Sequence, residues 1–136
     1  MLRRDKGFTL LELLVVIVII GLLVGYVAPR YFQQVGKSKS KTAALQINAF
    51  GKALEQYRLD VGQFPNTEQG LSALVTRPNA EGKWQGPYLE KSVPPDPWSR
   101  PYAYKSPGDH GEYDLQSLGR DGKSGGVGED ADITNW

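Results

Sequence analysis

The chain of 136 residues carries 16 Lys and Arg against 15 Asp and Glu, a formal charge of +1, and has no cysteine. This balance excludes nucleic-acid binding through bulk positive charge, and the missing thiols exclude disulfide or thiol chemistry, which suits an oxidising compartment. Once an apolar N-terminal segment is set aside, the remaining length suits one small domain with a modest core and leaves no room for two.

Phe8 to Ala28 is an unbroken apolar run of 21 residues whose only charge is Glu12. As a helix at ~1.5 Å per residue it spans about 31 Å, the thickness of a bilayer core, and it reads as a membrane segment. A carboxylate near the centre of such a helix costs roughly 2.5 to 3.5 kcal/mol, and less near the headgroups. Glu12 therefore needs a partner, a proton or an interfacial position. Arg3, Arg4 and Lys6 could also open a secretory signal, but the apolar region of a signal runs about 7 to 15 residues to an A-x-A-like site. Here the run is longer, and Val24-Gly25-Tyr26 fits such a site poorly. A cut between Gly7 and Phe8 would instead leave the new amine of Phe8 one helical turn from Glu12, a cation for the anion, within or between chains. Without residues 1–7 the side chains number 13 cationic against 14 anionic, or −1.

Gly21-Leu22-Leu23-Val24-Gly25 has the small-xxx-small spacing that allows close helix approach, and the same glycines also suit an ordinary membrane helix. Pro29 loses a backbone hydrogen bond and predicts a kink or a locally melted turn. Arg30, Lys37, Lys39 and Lys41 follow the segment as Arg3, Arg4 and Lys6 precede it, so cation count alone leaves its orientation open. Beyond the proline, Ile47, Phe50, Leu54, Tyr57 and Val61 recur at helical spacing and predict one apolar face. The helix is thus expected to be half membrane anchor and half domain spine.

Gly62 and Pro65 end that helix, and Asn66-Thr67-Glu68-Gln69 offers a capping box that predicts a short helix to about Val75. Pro78 bars further helix. The Pro- and Gly-rich stretch from Asn79 to Pro97, with Trp84, Tyr88 and Trp98, reads as an ordered loop pinned by aromatics. Pro101 to Lys105 and Glu112 to Gln116 alternate at period two around the turn residues Ser106 to Gly111 and predict a β-hairpin. His110, Asp109 and Asp114 meet at that turn without a nucleophile elbow, a phosphate loop or paired metal-binding histidines, so catalysis is not expected.

The stretch from Leu118 to Asp132 holds four carboxylates and five glycines. Hard cations such as calcium take about six to eight oxygens from carboxylates and carbonyls, and glycines let a short loop curl its carbonyls inward. The spacing is not that of an EF-hand, and the same composition also suits a solvated acidic tail.

Lys6-Gly7-Phe8-Thr9-Leu10-Leu11-Glu12 resembles the class III signal of the type IV pilin family, in which a basic leader ends in Gly before Phe and a Glu follows four residues later. Further resemblance covers nearly the whole chain. Phe64-Pro65-Asn66-Thr67-Glu68-Gln69-Gly70-Leu71, Pro95-Asp96-Pro97-Trp98, Pro101-Tyr102, Leu118-Gly119-Arg120-Asp121-Gly122 and Asp132-Ile133-Thr134-Asn135-Trp136 are similar to the major pseudopilins of type II secretion systems. Ser99-Arg100 departs from that pattern, which often has Gly-Asn there.

The resemblance implies an α+β fold of type IV pilin type: a long N-terminal helix whose first half spans the membrane, a short helix, a small antiparallel β-sheet and a calcium-binding C-terminal loop. Its segments are a cleaved leader at 1–7, a membrane and filament-core helix at 8–29, and a periplasmic domain at 30–136. A prepilin peptidase on the cytoplasmic face is then expected to cut after Gly7 and methylate Phe8, with Glu12 pairing with a neighbour's N-terminus during assembly and Pro29 as a soft point of the assembling helix. Ca2+ is implied as a structural ion held by the Leu118 carbonyl, Asp121 and Asp132, with Asp130 and Glu129 as additional candidates. The implied function is that of a structural subunit rather than an enzyme. It sits in the cell inner membrane as a single-pass protein and polymerises into a periplasmic filament that drives folded proteins through the outer-membrane secretin. Its partners would be further copies of itself, minor pseudopilins, the inner-membrane assembly platform and ATPase, and the membrane, but no nucleic acid. A type IV pilin or competence pseudopilin shares the leader and Glu12, but in Gram-negative bacteria a pilin usually carries a C-terminal disulfide, which a chain without cysteine cannot form.

Overall fold

The structure is a computed structural model and describes residues 7–136. Residues Arg3, Arg4, Asp5 and Lys6 of the expected leader lie outside the described residues. The chain divides into two compact units, one ending at Gly36 and the other Lys37–Trp136. A single helix, α1, covers Leu10–Val61 and contains Pro29. Of the kink or melted turn expected at the proline, the melted turn does not form, since helix runs on through it. A proline removes one N–H from the i to i−4 ladder, and the turns on either side keep their own bonds.

In the first unit, the large apolar side chains from Phe8 to Val27 are between 47% and 87% exposed. This helix is long and apolar enough to cross a membrane by length and composition. At its far end the Arg30 guanidinium lies 4.8 Å from the centre of the Tyr26 ring, and Tyr31 meets Phe32 edge to face. Aromatic and basic side chains gathered where an apolar run ends are typical of the membrane–water boundary.

The second unit is built on the predicted stripe. Ile47, Phe50, Leu54, Tyr57 and Val61 are all at most 8% exposed and join Ala53, Leu71, Ala73, Leu74, Tyr102 and Leu115 in one core. Burying a leucine as fully as Leu54 or Leu115 contributes roughly 1.5 to 3 kcal/mol. Gly62, at φ 95°, ends α1 by donating its N–H to the Arg58 carbonyl at 2.7 Å, a left-handed step that a side chain would resist.

Asn66 and Gln69 form the predicted capping box: the Gln69 N–H donates to Asn66 Oδ1 at 2.8 Å, and the Asn66 N–H to Gln69 Oε1 at 2.9 Å. The short helix expected to about Val75 is a turn followed by a 3₁₀ helix, Leu71–Leu74, with Val75 at its C-terminal cap. Gly70 sits between them at φ 57°, ψ −163° and interrupts helical geometry before a full turn can repeat.

The loop beyond Pro78 is ordered by its aromatics, as expected. Trp84 Nε1 donates to the Ala73 carbonyl at 2.8 Å, the Tyr88 hydroxyl to Asp60 at 2.9 Å, and the Tyr88 N–H to the Leu74 carbonyl at 2.7 Å. Tyr88 also meets Tyr57 and Trp84 edge to face.

The hairpin pairs β1, Ala103–Lys105, with β2, Asp114–Ser117, in the antiparallel register Tyr104 to Leu115. A third strand that the sequence pattern did not suggest, β3 at Ile133–Thr134, pairs antiparallel with β2 and gives the order β1-β2-β3. Asn135 extends this pairing: it accepts the Leu115 N–H through its side chain at 2.7 Å and donates its own N–H to the Leu115 carbonyl at 3.0 Å. The segment from Leu118 to Asp132 is therefore a loop held at both ends by adjacent strands.

Candidate functional site

At the N-terminal end, Gly7 and Phe8 precede the helix without regular secondary structure, and both are exposed. Thr9 and Glu12 then form a capping box of their own. Thr9 Oγ1 accepts the Glu12 N–H at 3.2 Å, and Glu12 Oε2 accepts both the Thr9 N–H at 2.9 Å and its hydroxyl at 3.1 Å. In the uncut chain the carboxylate thus satisfies the first turn of the helix rather than standing unpaired. The T-x-x-E spacing that carries this signal is present in the sequence. Gly21 and Gly25 have open space where a Cβ would sit, leaving that face of the helix free for close approach.

At the other end, the loop joining β2 to β3 is tied across its neck. The Arg120 N–H donates to the Glu129 carbonyl at 2.8 Å. The Arg120 guanidinium grips Asp130 at two points, Nε to Oδ1 at 2.8 Å and Nη2 to Oδ2 at 3.0 Å, with Glu129 Oε2 at 3.9 Å. That grip holds the Asp130 carboxyl below its usual range. Asp130, expected as an additional metal ligand, is therefore engaged by arginine in this structure. Gly119, at φ 67°, brings the first turn of the loop so close to the return strand that a Cβ would fall 2.7 Å from the Ala131 carbonyl oxygen.

Asp121 and Asp132 have lighter local bonding. Asp121 Oδ1 accepts the Lys123 N–H at 3.0 Å, and Asp132 Oδ2 accepts the Gly125 N–H at 2.9 Å. The other oxygen of Asp132, Oδ1, is buried without a hydrogen-bond partner. A buried carboxylate oxygen without a donor is costly to leave alone, and a cation is one partner that resolves it. Among the described residues no three His, Cys, Asp or Glu side chains converge as a ready-made metal cluster, so a cation here must draw on backbone oxygens as well. That is the donor set of a hard ion. A cleft of about 420 Å³ lined by Ser124, Asp132, His110, Asp114 and Trp136 opens beside the loop.

Asp109, His110 and Asp114 do come together, in a turn lock. Asp114 accepts the Asp109 N–H at 2.9 Å and the His110 N–H at 3.2 Å, and lies 2.9 Å from His110 Nδ1. The His110 ring stacks on Trp136 at 4.1 Å and 6°.

The support beneath the loop has no local signal in the sequence. Asp96, 3% exposed, accepts the N–H groups of Trp98 and Arg100 through Oδ1 at 3.0 and 2.9 Å, and the Ser117 hydroxyl through Oδ2 at 2.6 Å. This joins the Asp-Pro-Trp turn to the last residue of β2. An Asp before Pro-Trp was visible as a turn signal, but its partner twenty-one residues later was not.

Residues 30–136 match the family model described as type II secretion system protein G, and residues 2–28 match the prokaryotic N-terminal methylation motif. A type II secretion system core protein G of Pseudomonas aeruginosa is 45% identical, with 98% of this chain and 96% of that protein covered. Its counterpart in Vibrio cholerae is 46% identical over 99% of this chain and 94% of its own length. The crystal structure of the major pseudopilin from the type 2 secretion system of enterohaemorrhagic Escherichia coli superposes with a TM-score of 0.61 at 34% identity, covering 74% of this chain and 88% of that one. The chain therefore belongs to the type II secretion system protein G family.

Proposed function

We propose that this protein is the major structural subunit of a type II secretion pseudopilus. After removal of residues 1–7 by a prepilin peptidase and methylation at Phe8, its N-terminal helix leaves the inner membrane to form the core of a periplasmic filament. The observation that carries this reading is the apolar stretch from Phe8 to Val27, which stands exposed among the described residues and contains one carboxylate, Glu12. A bilayer can cover the apolar side chains, and so can other copies of the same helix. Only a second copy, or the amine created by cleavage, offers Glu12 a cation at that depth. Leaving it unpaired among packed helices is costly, so pairing sets the register in which copies stack. Minor pseudopilins and the inner-membrane assembly platform would then act on the same helix, with the C-terminal domain in the periplasm.

Calcium belongs to the same proposal. The Leu118 carbonyl, Asp121 and Asp132 would hold it, with Asp130 left to Arg120. A bound ion would supply charge neutralisation and a cross-link between the two arms of the loop. The residues themselves already bring those arms together through Gly119 and the Arg120 to Glu129 hydrogen bond.

The test is Glu12→Ala in cells that carry the secretion apparatus. The expected result is a variant that is cleaved and retained in the membrane at wild-type level but forms no filaments. Filaments of normal length would remove Glu12 from the assembly role.

A further inference from the structure

The neck of the C-terminal loop contains a second arginine. Arg100 follows the Asp-Pro-Trp turn, and its Nη1 donates to two successive carbonyls of the loop, Gly119 at 3.0 Å and Arg120 at 2.7 Å. Its backbone is fixed from behind: the Arg100 N–H is held by Asp96, and its carbonyl accepts the Asp96 N–H at 2.7 Å. Among the described residues no carboxylate forms an ion pair with the Arg100 guanidinium. Its charge is directed at the two carbonyls instead. Gly122 passes so close that a Cβ there would lie 2.7 Å from Arg100 Nε.

From this geometry we infer that Arg100 is a positioning residue: a tethered cation that closes the neck of the loop between Leu118 and Asp132 and does so without metal. Two arginines act in series. Arg100 fixes the carbonyls of Gly119 and Arg120, which orients the Arg120 side chain toward Asp130 across the neck. With those two carbonyls turned to Arg100, the Leu118 carbonyl and the carboxylates of Asp121 and Asp132 stay free of it, as do the remaining carbonyls of the loop. Hydrogen bonds from a charged donor are about twice as strong as neutral ones, so the latch outlasts the ordinary turn bonds around it. The effect on calcium affinity rests on the calcium reading above, whereas the latch itself does not.

Hydrogen exchange of the full-length protein in detergent micelles with chelator present tests the latch, using Arg100→Asn and Arg100→Lys. The latch predicts that the Arg120 and Gly125 amides are protected in the wild type without calcium. In Arg100→Asn they exchange at least about tenfold faster, while amides of the buried helix face from Ile47 to Val61 keep their rates. Arg100→Lys restores part of the protection, because one ammonium replaces the charge without the planar fork. Loop exchange that is unchanged in Arg100→Asn overturns the inference, as does equal acceleration of loop and helix, which marks a general structural loss. If Arg100→Asn does not fold, Arg100→Lys decides alone, and wild-type loop rates there overturn the latch. Calcium titration of the same samples should show at least about tenfold weaker binding in Arg100→Asn. If the wild type binds no calcium, the calcium reading fails while the exchange comparison still decides the latch.

Discussion

Asp132→Asn should change stability in opposite directions with and without calcium. In chelator, wild-type Asp132 keeps one oxygen bonded to the Gly125 N–H and the other buried without a donor. Replacing the charged group with a neutral amide retains the first bond and reduces the desolvation cost of the second position. The gain is about 1 kcal/mol, the low end of the penalty for an unsatisfied buried polar group. For a domain of this size that raises the melting temperature by about 4 °C. In calcium at a hundred times its dissociation constant, the wild type gains about 2.7 kcal/mol from binding, and the variant, lacking a charged ligand, loses most of it. Set against its gain of about 1 kcal/mol, the variant should then lie about 1.5 kcal/mol below the wild type. Thermal unfolding of the full-length protein in detergent, followed by circular dichroism with chelator and with calcium, reads both values. A wild type that is indifferent to chelator, or a variant weaker by the same amount in both conditions, refutes the reasoning.

Three further outcomes follow from the domain. Ser99 sits at φ 67°, where an L-residue pays about 1 to 2 kcal/mol. Ser99→Gly removes that strain against roughly 0.5 to 1 kcal/mol of extra unfolded-state freedom, so the denaturation midpoint should rise by the equivalent of about 0.5 kcal/mol, and a fall would show that no strain is stored there. Burial pushes the Asp114 carboxyl up, but the His110 ring and the N–H groups of Asp109 and His110 outweigh it and hold it below its ordinary value of 3.8. A depressed folded-state value contributes stability that is complete above 3.8 and is lost as pH falls through the lower folded value, so Asp114→Asn should flatten the acid limb of the stability curve, and an unchanged limb contradicts this. Burial pushes Tyr102 and Tyr104 from 10.0 up to about 12, and raises Tyr57, Tyr88 and Tyr113 as well. The contribution of Tyr102 and Tyr104 is complete below pH 10 and is lost as pH rises through about 12, so phenolate absorbance should show these two among the last tyrosines to titrate. Titration of all tyrosines together near 10 in the folded protein would contradict their burial.

The features legible in the sequence were those with a period or a fixed spacing. The stripe Ile47, Phe50, Leu54, Tyr57 and Val61 identified the buried face of the helix because it repeats the helical turn, and each residue is in the core. Asn66 and Gln69 were correctly read as reciprocal caps, and the short helix expected after them is a 3₁₀ helix that begins only at Leu71, because Gly70 takes a positive-φ step between cap and helix. Strand β3 is two residues long, too short for an alternation to register, and exists because β2 offers it an edge. Glu12 was recognised by its isolation among apolar residues, whereas its bond to Thr9 was overlooked beside that more conspicuous charge. In the C-terminal loop, glycine content indicated a curled backbone, which the positive φ of Gly119, Gly122, Gly125, Gly126 and Gly128 bears out. The pairing of Asp130 with Arg120 and the reach of Arg100 to Gly119 depend on contacts across the neck that no local spacing encodes.

The pairing of Glu12 between copies can be seen in a filament reconstruction at side-chain resolution. Chains are expected to begin at methylated Phe8, with the Glu12 carboxylate of one copy within about 4 Å of the Phe8 amine of another. A filament in which Glu12 remains folded onto its own Thr9, with every Phe8 amine distant from it, would contradict the account.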